Sequence, residues 1–343
     1  MSFLDLTMDP FARAAIWFIT ALACCAAILG ALLRTGLAWR LATDIPNDRS
    51  LHTRPTPRVG GWGVVPVALT MLWLAVPGVG GIVVAAAGLA LLSQIDDRRG
   101  LPARVRFVGH VAAVGLVLVS YPAGLPWWAL AATGFLMVWL VNLYNFMDGI
   151  DGLAGGMTLF GFGGYALAAM IGPQHSPQLA VGAACIAGAA AGFLLFNFHP
   201  ARIFLGDAGS ITLGFVAGAF GFWGWRSGAW PIWLSAQLFS PFIADASLTL
   251  LRRLLRGDKF WQAHREHYYQ RMVRMGLSHA RAARCWYAMM GTGIIAALWA
   301  LRLPASLQWA VLGAWYSLLA VMALVIDARW RRFQTIVSKS GEV

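Results

Sequence analysis

Asn145, Asp148 and Asp151 recur at three-residue spacing in the segment NLYNFMDGIDGLAGG, residues 142–156, and in a helix they would share one face. Gly149, Gly152, Gly155 and Gly156 beside them allow close backbone approach to a ligand. The segment has no Lys or Arg to balance its acids. Uncompensated carboxylates beside apolar sequence carry a desolvation cost, which favours a functional loop over a Gly-rich turn with Asp caps. Asp96 and Asp97 stand side by side in SQIDDRRG. Adjacent carboxylates repel, so they need solvent, pairing with Arg98 or Arg99, or a metal or cationic site.

Three further segments hold polar groups of the same kind. FNFHPARIFLGDAGS, residues 196–210, carries Asn197, Phe204 and Asp207, with Asp207 placed where a helix N-cap is the competing role. In HREHYYQRM, residues 264–272, His264 and His267 lie three apart beside Arg271, and on a helical face they suit phosphate or carboxylate contact. As zinc ligands they lack an identifiable third partner. The alternative is an interfacial helix anchored by Phe260, Trp261, Tyr268 and Tyr269. DIPNDRSLHTRPTPRVGGWG, residues 44–63, offers Arg49, His52, Arg54 and Arg58 on a Pro-stiffened loop.

The elements that position these groups are apolar. Of 343 residues 59% are hydrophobic and 12% charged, against roughly 25% charged in soluble domains. Runs near 11–33, 61–76, 79–95, 105–121, 126–146, 153–172, 178–196, 208–225, 230–251, 286–303 and 306–326 are of a length to cross a hydrocarbon core about 30 Å thick. The expectation is an all-α polytopic membrane protein of about 11 spans, a single domain over 1–343. Asp5 and Asp9 occupy the place of a basic n-region, so the first run is expected to stay rather than be cleaved as a signal peptide. Cys24, Cys25, Cys185 and Cys285 lie in or beside apolar segments without ligand spacing and read as packing residues.

Of the 26 Lys and Arg, all but Arg13, Arg226 and Arg302 fall in one set of alternate loops. That asymmetry puts those loops in the cytoplasm, the N-terminus in the periplasm and the C-terminus in the cytoplasm. The net charge of +12 is then chiefly a topology signal, and nucleic acid is not the expected partner. Apart from Asp5 and Asp9, every carboxylate also falls on the cytoplasmic side, where the active site is expected. Transporters place acids near mid-membrane and build from inverted repeats; only Asp245 is a candidate for the first, about seven residues from the Arg252 end, and no matching halves are evident.

Taken together, NFMDGIDGLAGG, FLGDAGS, the paired aspartates, the PTPRVGG loop and HREHYYQR resemble the polyprenyl-phosphate N-acetylhexosamine-1-phosphate transferases over nearly the whole chain. The resemblance implies a multi-pass enzyme of the bacterial inner membrane. It would move a sugar 1-phosphate from a UDP-N-acetylamino sugar to undecaprenyl phosphate, releasing UMP, with magnesium, or manganese in its place, as cofactor. A homodimer is compatible with it. It implies catalytic roles for Asp96, Asp97, Asp148, Asp207, His264 and His267, with Asp207 and Asp148 at the metal. Arg49, His52, Arg58, Asn145, Asp151, Asn197, Phe204 and Arg271 would bind substrate, Phe204 near the uracil. Muramoyl-pentapeptide transferases resemble one another in three consecutive histidines, whereas this chain has H-R-E-H. A plain N-acetylamino sugar and the initiating step of O-antigen or related envelope polysaccharide synthesis are therefore favoured. A phosphate monoester with a second pKa of about 6 is largely dianionic at neutral pH, so direct attack needs no strong base.

Overall fold

A computed structural model of the chain describes residues 9–46, 52, 54–172, 174–259 and 264–340. Arg49, Asp48, Phe260 and Trp261 lie outside the described residues. The helices among the described residues are α1 (Pro10–Arg34), α2 (Leu37–Leu41), α3 (Gly60–Ala75), α4 (Gly80–Arg99), α5 (Ala103–Ser120), α6 (Trp127–Phe146) and α7 (Leu153–Ile171). They continue with α8 (Pro177–Asn197), α9 (Asp207–Arg226), α10 (Trp233–Leu238), α11 (Ser240–Leu255), α12 (Tyr268–Arg274), α13 (His279–Ala300) and α14 (Ala305–Ser340). The one departure from an all-α fold among the described residues is a two-residue antiparallel ladder, β1 (Thr43–Asp44) with β2 (Thr56–Pro57).

Seven of these helices, α1, α4, α5, α6, α7, α8 and α14, are long and apolar enough to cross a membrane. The chain is a multi-pass membrane protein. α3 is apolar but shorter, with 16 residues, and α9 and α13 are of spanning length but less apolar. The run expected at 230–251 is two helices rather than one. α10 ends at Leu238, and α11 begins at Ser240 with Pro241 in its first turn, where a proline costs no helical hydrogen bond. Ser240 Oγ donates to the Gln237 carbonyl and accepts from Trp315 Nε1, which satisfies polar groups at the break.

Hydrophobic collapse cannot drive helices together inside lipid, so small residues that permit close approach matter more. α8 is rich in Ala and Gly and is packed by α1, α3 and α7. A Cβ on Gly188 would stand 2.2 Å from the Phe18 carbonyl oxygen, so no larger residue fits there. In the first turn of α3 a Cβ on Gly61 would stand 2.7 Å from the Gly209 backbone nitrogen. This contact brings the first turns of α3 and α9 together, and with them the loops that carry Arg58 and Asp207.

Candidate active site

The three segments preceding α3, α7 and α9 converge on one polar cavity. Its volume is about 220 Å³. Asp44, His52 and Arg58 enter from the first loop, which the β1–β2 ladder folds back on itself. Phe204 donates its N–H to the Pro57 carbonyl at 2.8 Å, and Gly60 and Gly61 donate theirs to the carbonyls of Phe204 and Leu205. Gly206 has φ +76°, a conformation that favours glycine, and turns the chain into α9 so that Asp207 is its first helical residue. The cap position belongs to Gly206, and the Asp207 side chain is free of that role.

Asn197 ties two of these segments together. Its Oδ1 accepts from the Gly152 N–H at 2.9 Å, and its Nδ2 donates to the Ile203 carbonyl at 2.9 Å. The DGIDG segment is a turn rather than a helix, so Asp148 and Asp151 do not sit on a helical face. Both nevertheless line the cavity with Gly149 and Ile150. Gln270 of α12 and His279 of α13 complete the wall.

Burial pushes the Asp148 carboxyl up to about 7, the charge of Asp207 adds to the shift, and Arg58 opposes it. Asp148 and Asp207, two acids that disfavour each other's charge on the wall of one cavity, offer oxygen ligands suited to a hard cation. The residues present therefore fit magnesium. Arg58 Nη2 donates to Asp97 Oδ1 at 3.1 Å, which holds the guanidinium at the cavity edge. Asp96 accepts from Arg106 at 3.0 Å and from the Leu101 N–H at 2.7 Å. Neither acid pairs with its neighbours Arg98 or Arg99; each is matched from another element.

A second space opens beside the first. It is an apolar groove of about 910 Å³ between α5 and α6, lined by Phe107, Val111, Val114, Leu118, Phe135 and Val138 among others. At its polar end lie Arg106, Asn145 and Asp207. Asp207 is thus a wall of both spaces. Asn145 donates to Ser210 Oγ at 3.0 Å, which places it on the groove side. Arg106, Asp44, Gln270 and His279 are site residues that sequence spacing did not pick out. Asp44 and Gln270 lie within the first loop and the HREHYYQRM segment, whereas Arg106 and His279 lie outside every motif and nothing local marks them.

The HREH segment differs from its expected arrangement. His264 and His267 precede α12 instead of sharing its face, because His267 is the helix N-cap. His267 is buried, with Nδ1 3.2 Å from Asp245 Oδ1, and His264 packs against it at 4.8 Å between ring centroids. Burial, with His267 and Arg253 nearby, lowers the His264 pKa to about 4. Neither ring lines the cavity. Arg271 is likewise committed inside the fold, donating to Asp327 at 2.8 Å, rather than facing the cavity. Tyr268 and Tyr269 are buried and do not act as membrane anchors.

Residues 79–224 match the pattern of Glycosyl transferase family 4. A decaprenyl-phosphate N-acetylglucosaminephosphotransferase of Mycolicibacterium smegmatis is 30% identical over 307 residues, covering 73% of this chain and 73% of the relative. A probable undecaprenyl-phosphate N-acetylglucosaminyl 1-phosphate transferase of Bacillus subtilis is 28% identical over 318 residues, covering 83% and 84%. A phospho-N-acetylmuramoyl-pentapeptide-transferase of Rippkaea orientalis is 31% identical over 252 residues, covering 63% and 67%.

Proposed function

The chain belongs to glycosyl transferase family 4, and on that premise we propose that it transfers an N-acetylamino-sugar 1-phosphate from a UDP-sugar to undecaprenyl phosphate. The products are a polyprenyl-diphospho-sugar and UMP. The observation that carries this reading is the junction at Asp207 of a polar, nucleotide-scale cavity with an apolar groove open along α5 and α6. A polyprenyl tail belongs in the groove, and its phosphate then arrives where Arg106 and Asn145 end it. The setting is the cytoplasmic face of a bacterial inner membrane, with the N-terminus periplasmic and about 11 spans, for which the distribution of Lys and Arg is the support.

Phosphoryl transfer asks the protein chiefly for positioning and charge neutralisation. An acceptor phosphate oxygen attacks the phosphorus that bears the sugar, and the bond from that phosphorus to the UMP oxygen breaks. Asp148 and Asp207 would hold magnesium, which when bound draws negative charge from the diphosphate. Arg58, kept in place by Asp97, offers a cation to the donor phosphates, and Arg106, held by Asp96, offers one to the acceptor. Asp96 and Asp97 therefore act as positioning residues. His52 packs edge-on against Phe204 at 4.8 Å between ring centroids, an aromatic corner suited to a pyrimidine base. Asn197 and Asp151 shape the wall beside it.

The names of the mycobacterial and Bacillus relatives support N-acetylglucosamine as the sugar, ahead of a muramoyl-pentapeptide donor. The HREH segment, with its two separated histidines, supports the same choice. The test is conversion of UDP-N-acetylglucosamine and undecaprenyl phosphate to UMP by the chain purified in detergent, with and without magnesium. Absence of magnesium-dependent UMP release with both aminosugar and muramoyl-pentapeptide donors overturns the proposal. Light scattering on the same preparation reads whether the enzyme is a homodimer.

A further inference from the structure

The cavity wall carries a second cluster whose donor chemistry differs from that of the Asp148–Asp207 pair. Asp151 lies between two imidazoles. His199 Nδ1 is 2.6 Å from Asp151 Oδ2, and His279 Nδ1 is 3.3 Å from Asp151 Oδ1. One ligand atom of each residue lies within 4.8 Å of those of the other two. The Ala201 N–H donates to Asp151 Oδ2 at 3.1 Å and fixes the carboxylate from behind.

The His279 side of this cluster is the more loosely made. His279 Nδ1 is buried and makes no hydrogen bond, although it faces a carboxylate oxygen. An unsatisfied buried polar atom is costly, and a cation shared with Asp151 would remove that cost.

We infer that Asp151, His199 and His279 form a site for a borderline transition-metal ion such as zinc, separate from the all-oxygen site at Asp148 and Asp207. Two imidazoles and a carboxylate are the donor set of open zinc sites, whereas magnesium keeps oxygen ligands and water. Tetrahedral zinc with bonds of roughly 2.0–2.1 Å separates its ligand atoms by about 3.3–3.4 Å. The His279–Asp151 contact already has that spacing. The His199 contact, 2.6 Å to the other carboxylate oxygen, must open and re-aim toward Oδ1 for the three residues to share one tetrahedral ion. Its side chain is 39% exposed and is therefore able to swing. Asp151 and His279 both line the donor cavity, so an ion held between them presents its remaining position to that space. It would also tie the start of α13 to the loops before α7 and α9.

The test uses tag-free, full-length chain in detergent with excess magnesium present. Cobalt is titrated by visible absorption, zinc by calorimetry, and thermal stability is read with and without zinc. The expected result is one ion per chain with a tetrahedral cobalt spectrum and a zinc-dependent rise in Tm. In His199→Asn and His279→Asn the affinity falls by roughly tenfold or more. No binding, or binding of unchanged affinity in both variants, overturns the site and leaves a hydrogen-bonded clamp in its place. Because His199 stands half-exposed, its variant keeps the test decisive if His279→Asn fails to fold. Zinc should also raise the KM for the UDP-sugar, an arm that rests on the donor reading above. Binding that is lost in the variants but leaves that KM unchanged upholds the metal site and counts against the donor assignment alone.

Discussion

Asp207 meets the polar cavity on one side and the end of the apolar groove on the other, and no packing contact depends on its charge. Asp207→Asn keeps the shape and, since Gly206 occupies the cap position, removes no helix cap. Transfer should fall by about 100-fold or more with Tm unchanged, because one carboxylate of the cation site is lost. Near-normal, magnesium-dependent UMP release would take Asp207 out of that site. Asp148 gives a pH signature. Its folded pKa of about 7 lies above the unfolded value, so the neutral form is favoured in the metal-free protein, and stability falls as pH rises from about 4 through 7. Magnesium needs the ionised form. Apparent magnesium affinity should therefore drop about tenfold per pH unit below 7 and level off above it, as measured by magnesium titrations of the initial rate between pH 5.5 and 8.5. Asp148→Asn should bind magnesium weakly at every pH, with that dependence gone. A wild-type profile flat across pH 7 would remove Asp148 as the titrating ligand.

At the scale of elements, the short helix α12 brings Gln270 to the cavity, and two neighbours hold it there. Asp245 in α11 accepts the N–H groups of Tyr268 and Tyr269 at 2.9 and 3.1 Å, satisfying donors that a helix start otherwise leaves open. Asp327 in α14 accepts from Arg252 and Arg271, with the Tyr268 hydroxyl at 3.4 Å. Trp330, one turn further along α14, lies under the guanidinium of Arg274 at 4.7 Å. Asp327→Asn leaves buried Arg271 with only the more distant Glu266 carboxylate, 3.8 Å away, as counter-charge, so the fold is destabilised. A clear loss of Tm is expected, together with a raised KM for the UDP-sugar as α12 loosens. An unchanged Tm would show that α14 does not hold α12. His267→Ala belongs to the same scale. It removes a buried ring packed on Tyr269 and Phe146, so its effect on donor use should come through stability and not through a lost contact with substrate.

For the whole molecule, the groove between α5 and α6 accounts for the meeting of a membrane-bound acceptor with a water-soluble donor. Gly115 lines it with nothing within 4 Å of where a Cβ would stand, so a large side chain enters the groove without displacing the bundle. Gly115→Trp should raise the KM for undecaprenyl phosphate by about tenfold, while a short-chain prenyl phosphate is much less affected, since each buried CH₂ contributes about 0.8 kcal/mol. Equal losses for both acceptors would mean that the tail lies elsewhere. By itself the sequence determined the helical membrane architecture, the concentration of the acids, Asp245 apart, outside the apolar runs, and the segments around Asp148 and Asp207. These are local properties: runs of apolar residues, glycines at turns, and charge density along the chain. Only the tertiary structure decided which cation serves which acid, with Arg106 matched to Asp96 and Arg58 to Asp97. It alone turned His267 and Arg271 inward, divided the run at 230–251 into α10 and α11, and brought His279 against Asp151. Those outcomes depend on which helices can approach closely, through contacts such as Gly61 on Gly209, and on partners far apart in the chain such as Asp245 with α12 and Asp327 with Arg271. No spacing within one segment records them.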